Sequence, residues 1–263
     1  MQTGRSGMTA QANRLSAAAD NVANVTTPGY KSAVSSATPT VLPSTSGLYI
    51  AGGLKTNFYH AIAQQGPLQF SSSSHDLAVS GDGFFVVQNA AGETSLTRSG
   101  SFVPDGEGRL VNAAGFHLMA HEQVDEGQIG NDLQGLVPVK LDPKVAAPDQ
   151  FRIGEDGMVT VSHGDGSQEA LYQIPLATVQ SPDQMRVLSG NTFAPSAQSG
   201  DVELSLPGRG ALGSIVPGAL EASNVDMTRE ITGMIEAEHL FVANALVMQM
   251  GSELLETLLD LKK

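Results

Sequence analysis

The chain has 263 residues, long enough for one large domain or two ordinary ones with a sizeable core. Fourteen Lys and Arg against 27 Asp and Glu leave a net charge of −13, so the surface repels phosphate backbones and nucleic acid is not an expected partner. The absence of Cys excludes disulfides, thiolate zinc sites and a cysteine nucleophile, and 29 Gly with 13 Pro mark a chain of many turns.

The first residues, Met1 to Met8, carry neither an apolar run nor a small-residue cleavage site, so no cleaved secretory signal is expected. No window reaches about 18 unbroken apolar residues, which argues against membrane insertion. Between Met1 and about Asn24, apolar residues recur at Met8, Ala12, Leu15, Ala19 and Val22. This spacing draws one narrow, seam-like stripe along a helix. The helix should stop near Thr26-Thr27-Pro28-Gly29, because proline disfavours a helical residue before it and glycine marks a turn.

From Ser32 to Ala63 there is no clean period and many Ser, Thr, Pro and Gly, which predicts an extended linker over residues 32–67 with few short strands. Residues 68–218 carry β signals. Leu77-Ala78-Val79, Gly81-Asp82-Gly83 and Phe84-Phe85-Val86-Val87 read as strand, hairpin turn and strand. Further turns at Pro104–Gly108, Asp156-Gly157 and His163–Gly166 precede short apolar runs. That density of turns predicts a mainly antiparallel sandwich or barrel-like domain.

The last element reads as a helix from about Asn224 to Leu261, opened by Ser223 and Asp226 in the manner of a capping box and closed favourably by Lys262 and Lys263. One stripe holds Met227, Ile231, Met234, Phe241, Ala245, Met248, Leu255 and Leu259; a second holds Leu240, Val247, Leu254, Leu258 and Leu261. The N-terminal stripe is too slight to hold its helix alone in water. The terminal helices are therefore expected to pack on each other, with Met8, Leu15 and Val22 facing the C-terminal helix. A second stripe is then left over, to be covered either by further copies of the chain or by the β domain of the same monomer; the residues alone leave both open. The fold class is α+β. Residues 1–31 and 219–263 form a coiled-coil domain of two long terminal helices, and the mainly antiparallel β domain lies between them.

Nothing in the sequence supports catalysis. His117 and His121 have the spacing of zinc ligands on a helix, but they fall in a strand-like segment. Ser74-His75-Asp76 has the residue types of a hydrolytic triad, yet neighbours in sequence cannot take up triad geometry. Asp105, Glu107, Glu155, Asp156 and Asp165 lie in Gly-rich turns too loosely spaced for a calcium loop. No cofactor and no metal are expected. The competing class is a monomeric binding module, a sugar-binding or adhesin-like β domain on a helical stalk.

Three motifs carry a family resemblance. Ser6-Gly7-Met8-Thr9-Ala10-Gln11-Ala12-Asn13-Arg14-Leu15 with Asn21-Val22-Ala23-Asn24-Val25-Thr26-Thr27-Pro28-Gly29-Tyr30-Lys31 resembles the N-terminal signature of bacterial flagellar rod and hook proteins. Leu220-Glu221-Ala222-Ser223-Asn224-Val225-Asp226-Met227 is similar to that family's C-terminal signature, and Asp76 to Val87 with Leu96-Thr97-Arg98-Ser99-Gly100-Ser101-Phe102 resembles its middle. Hook proteins are the closest within it, through Gly115–Met119, Leu136–Val139 and Tyr172–Asp183. The resemblance implies a self-assembling structural subunit of the flagellum that lacks enzymatic activity. Its terminal helices would pair into an inner coiled coil stacked around an export channel, with the β region as the next shell. Its partners would be further copies of itself, the neighbouring rod, hook-cap and hook–filament junction proteins, and the flagellar type III export apparatus, which takes substrates without a cleaved signal. The assembly interface would comprise Met8, Ala12, Leu15, Ala19, Val22, Met227, Ile231, Met234, Phe241, Met248, Leu255 and Leu259. The matching motif positions are Asn21, Asn24, Gly29, Tyr30, Asn224 and Asp226. Two features depart from the hook pattern. Little separates Lys140 from Arg152, where hook proteins carry an inserted outer domain, so the total length suits a rod protein, and fewer residues than usual precede Ser6-Gly7-Met8.

Overall fold

The computed structural model describes residues 2–41, 51–122, 133, 135–141, 151–162, 167–209 and 212–261. The turn expected at His163–Gly166 and the closing Lys262 and Lys263 lie outside the described residues. The chain forms two compact units. Residues 1–25, 32–61 and 225–263 make the first, and residues 26–31 and 62–224 make the second.

In the first unit, α1 (Gln2–Ala23) packs against α2 (Met227–Asp260) and against the strands β1 (Ala33–Val41) and β2 (Ala51–His60). The cap of α2 is Asp226, whose carboxylate accepts from the backbone N–H groups of Thr228 and Arg229 at 3.0 and 3.2 Å. The expected cap, Ser223, is instead a buried residue upstream. With 34 residues, α2 is about 51 Å long at 1.5 Å per residue.

β1 and β2 pair antiparallel from Ala33↔His60 to Pro39↔Leu54, with a register shift before Val41. Where few short strands were expected, there are two long ones. β1 is built mostly of Ser, Thr and Ala, and β2 leaves Leu54, Phe58 and Tyr59 exposed, so hydrophobic periodicity does not reveal them. A two-stranded ribbon is marginal by itself, and α1 supports this one. The Asn21 side chain donates to the Ala33 carbonyl at 2.9 Å and accepts from the Ala33 N–H at 2.7 Å. Ser6 Oγ accepts from the Leu54 N–H at 3.2 Å.

The second unit is antiparallel β. Its strands are β3 (Leu68–Phe70), β4 (Leu77–Ser80), β5 (Phe85–Gln88), β6 (Thr94–Thr97), β7 (Phe102–Pro104), β8 (Leu110–Asn112), β9 (His117–Glu122), β10 (Leu136–Pro138) and β11 (Phe151–Ile153). They continue with β12 (Met158–Ser162), β13 (Gln168–Gln173), β14 (Leu176–Thr178), β15 (Arg186–Leu188), β16 (Thr192–Ala194), β17 (Glu203–Ser205), β18 (Ser214–Pro217) and β19 (Ala219–Glu221). The main sheet runs in the order β11-β12-β13-β9-β5-β6-β16-β15, with β7, β8 and β10 attached beside it.

The apolar run Phe84–Val87 is continuous because β5 is buried on both faces. Phe85 and Val87 enter one core cluster with Phe102, Leu118 and Ile174; Phe84 and Val86 enter another with Leu96 and Phe193. Edge-to-face ring pairs anchor both, Phe85 with Phe102 and Phe84 with Phe193, each at 6.0 Å. Gly81-Asp82-Gly83 is not a hairpin turn as expected. It carries the chain from β4, which pairs with β18, to β5, which pairs with β6 and β9.

Candidate functional site

Two features remain once the cores are filled: an exposed apolar surface on the terminal helices, and a buried ionic cluster in the second unit. On α1 the buried positions are Gly4, Gly7, Ala10, Ala17, Ala18 and Asn21. Gly4 lies against Met248, Gly7 against Asn244, and Arg14 Nη2 meets Glu236 Oε2 at 2.7 Å, so α1 and α2 run antiparallel. The glycines permit the approach: a Cβ on Gly7 would sit 2.5 Å from Asn244 Oδ1, and one on Gly4 2.9 Å from Met248 Cγ. The Arg14–Glu236 pair is solvated and adds at most about 1 kcal/mol.

The expected stripe is only partly covered in the single chain. Ala12, Leu15 and Ala19 are exposed, and Met8 and Val22 are half-buried. Leu15, expected to face α2, is thus left exposed, and the closest approach of the two helices runs through Gly4 and Gly7. On α2, Met234, Ala245 and Met248 are half-buried, whereas Met227, Ile231, Phe241, Leu255 and Leu259 are exposed. The second stripe, Leu240, Val247, Leu254, Leu258 and Leu261, is exposed throughout. By length and composition α2 is also apolar enough to cross a membrane, although polar residues interrupt its apolar runs.

The motif residues Asn24, Gly29, Tyr30 and Asn224 have local roles. Asn24 Nδ2 donates to the Asp20 carbonyl at 2.9 Å and closes the end of α1. Gly29 has φ of 69° and packs on the backbone of Arg98 and Ser99, where no side chain fits. The Tyr30 carbonyl accepts from the Asn224 N–H at 3.4 Å, and Asn224 Nδ2 donates to the Gln64 carbonyl at 3.1 Å.

Beside them lies a cluster that sequence reasoning missed. Lys31 Nζ pairs with Glu221 Oε1 at 2.6 Å, and Arg98 Nη1 pairs with Glu221 Oε2 at 3.1 Å, with all three side chains no more than 3% exposed. Glu221 Oε1 also accepts from the Gly66 N–H at 2.9 Å. Lys31 Nζ donates to the Gln64 carbonyl and Arg98 Nη2 to the Gly81 carbonyl. The Arg98 guanidinium lies 4.9 Å from the centre of the Phe84 ring. Burial pushes the pKa values of Lys31 and Arg98 down, and the Glu221 carboxylate opposes this. The available signal was that Lys31, Arg98 and Glu221 each sit inside one of the three motifs.

The catalysis-like groupings do not assemble. Asp76 Oδ2 accepts from Ser71 Oγ at 2.6 Å, while the His75 ring stacks on Phe151 at 5.4 Å. His117 and His121 both lie on β9, and no group of His, Asp and Glu among the described residues could hold a metal. Asp105 accepts from the N–H groups of Glu107 and Arg109. The Arg109 N–H leads the groups that pull its pKa down to about 2. Asp165 lies outside the described residues.

Three family descriptions match the chain: Flagella basal body rod protein over residues 1–31, Flagellar hook protein FlgE/F/G D1 domain over 78–161, and Flagellar basal body rod FlgEFG protein C-terminal over 216–261. The flagellar hook protein FlgE of Brucella suis is 34% identical over 391 aligned positions, covering all of this chain and 98% of that protein. FlgE of Rhizobium meliloti is 32% identical over 400 positions with the same coverage. The basal-body rod protein FlgG of Bacillus subtilis is 29% identical over 277 positions, also covering all of this chain and 98% of the relative. Set against the 263 residues here, the 391-position alignment leaves about 128 positions of the Brucella protein facing gaps, and the 277-position one only about 14.

Proposed function

The chain belongs to the family of flagellar hook and basal-body rod proteins, and from that premise we propose that it is the subunit of the hook. It is a structural subunit of the flagellar axis, without enzymatic activity, and it resides in the basal body and hook. The observation that carries the hook reading is the full-length identity to hook proteins, higher than to the rod protein. The positions facing gaps fit a short hook subunit without the inserted outer domain.

In this reading the terminal helices form the inner, coiled-coil part of a tube and the β unit forms the shell around it. The exposed faces of α1 and α2 are buried by neighbouring copies, not by lipid: Leu15 and Val22 on α1, and Phe241, Leu255 and Leu259 on α2, become the seams between subunits. A patch on one copy that meets a different patch on the next builds a helical filament when the rotation between copies does not close into a ring. The subunit would leave the cell through the flagellar type III exporter. It would then contact rod proteins at one end, the hook cap during growth, and the hook–filament junction at the other.

The near gap-free alignment with FlgG favours a second reading, a distal rod protein. Electron microscopy of basal bodies from a strain lacking the gene separates the two. Complete rods without hooks support the hook assignment; truncated rods replace it with the rod assignment.

A further inference from the structure

All passages of the chain between its two units run through three segments. Residues 26–31 lie between α1 and β1, residues from 62 onward follow β2, and residues up to 224 precede α2. One carboxylate reaches all three. Glu221, on β19, holds Lys31 of the first segment and the Gly66 N–H of the second. Its own carbonyl accepts from the Gly29 N–H at 2.7 Å. Around it the Ala222 N–H donates to the Pro67 carbonyl at 2.9 Å, and the Gln64 carbonyl accepts from both Lys31 and Asn224. Arg98, the residue after β6, then ties Glu221 to the end of that strand and, through the Gly81 carbonyl, to the crossing between β4 and β5.

We propose that Glu221 is a positioning residue whose cluster with Lys31 and Arg98 clamps the three connecting segments into one rigid piece, and that load on the terminal helices enters the β unit through this clamp. The clamp itself is independent of the hook assignment, whereas its load-bearing role rests on the reading of the chain as an axial subunit. Stability alone does not account for such a cluster. Desolvating two cations and a carboxylate offsets most of their attraction, and apolar replacements of similar volume often fold as well. What the charges add is direction: Lys31 joins Glu221 to the Gln64 carbonyl, Arg98 joins it to the Gly81 carbonyl, and the carboxylate accepts from each cation at a fixed place.

The test uses amide hydrogen exchange on the full chain. Lys31→Met leaves Arg98 and Glu221 as a balanced pair, so the fold should persist. The expected result is at least tenfold faster exchange in residues 26–31, with β5 and β9 unchanged. The triple variant Lys31→Met/Arg98→Met/Glu221→Gln removes every charge but keeps an acceptor for Gly66; it should loosen all three segments. Lys31→Arg, which keeps the charge, should retain parental protection. Parental exchange of residues 26–31 in Lys31→Met overturns the clamp, and so does equal loosening of β5 and β9, which would mark a loss of global stability. For the load, Lys31→Met replaces the parental gene in cells. Hooks of normal appearance with swimming lost first in viscous medium are expected, and parental swimming at every viscosity overturns the load-bearing role. Normal rods and hooks in cells lacking the gene would instead overturn the axial-subunit reading and leave the exchange result standing.

Discussion

The backbone N–H of Gly29 donates to the carbonyl of Glu221 at 2.7 Å, joining the segment that follows the first helix to the strand that precedes the last one. Gly29 has φ of 69°, and its Cα faces the backbone of Arg98 and Ser99 so closely that a Cβ would collide with it. Gly29→Ala should therefore cost about 1–3 kcal/mol for the left-handed conformation, with a further cost for moving backbone. Urea unfolding checks this: the midpoint should fall with an unchanged slope. An unchanged midpoint would mean that the segment is not held as described.

The antiparallel contact of α1 and α2 is open to direct chemical test because the chain has no cysteine. With Arg14→Cys and Glu236→Cys, the two new thiols should be joined within one chain by a short bifunctional thiol reagent, since Arg14 and Glu236 now meet at 2.7 Å. Arg14→Cys paired with Leu258→Cys should not cross-link within the chain. The opposite pattern would reverse the helix direction.

Leu15 and Phe241 are 38% and 41% exposed in the single chain. Leu15→Asp and Phe241→Asp should shift the stability of the isolated protein by only about 0.5 kcal/mol. In a polymer each would place an unpaired charge in a seam, at a cost of several kcal/mol per copy. The expected outcome is a folded subunit that forms no hooks, read by unfolding curves and by microscopy of cells. Normal hooks would remove these residues from the assembly interface.

Acid should weaken the β unit. Burial pushes the pKa values of His75 and His121 below the ordinary histidine value, with Asp76 partly opposing the shift at His75. His75 Nε2 and His121 Nε2 are buried without hydrogen-bond partners among the described residues. Well above about pH 6.5 the rings are neutral in both folded and unfolded chains and contribute nothing to the pH dependence. As pH falls through that value, the unfolded chain gains protons that the folded chain resists, so stability declines. Urea midpoints should fall between pH 7.5 and 5.5, and His75→Gln/His121→Gln should flatten the decline. An equal decline in the double variant would assign it to other groups.

Much of the architecture was legible locally. The run Phe84–Val87 marked a strand, Thr26–Gly29 marked the end of α1, and the motifs at Ser6, Asp76 and Leu220 marked the family. Hydropathy did not show which face of α1 meets α2. It favoured Met8, Leu15 and Val22, whereas the close contact uses Gly4 and Gly7, residues that matter for what they lack. Periodicity also missed the β1–β2 ribbon, whose residues bury little, and read a hairpin turn at Gly81–Gly83 because it could not see that β4 pairs with β18.

The sequence by itself determined the helices, the antiparallel β character and the family, because periodicity, turn residues and motifs act over a few neighbouring positions. Only the tertiary structure decided which faces are covered and that Lys31, Arg98 and Glu221 meet. Burial and charge pairing depend on groups distant in the chain, and their free energies exist only once folding has brought those groups within a few ångströms of each other.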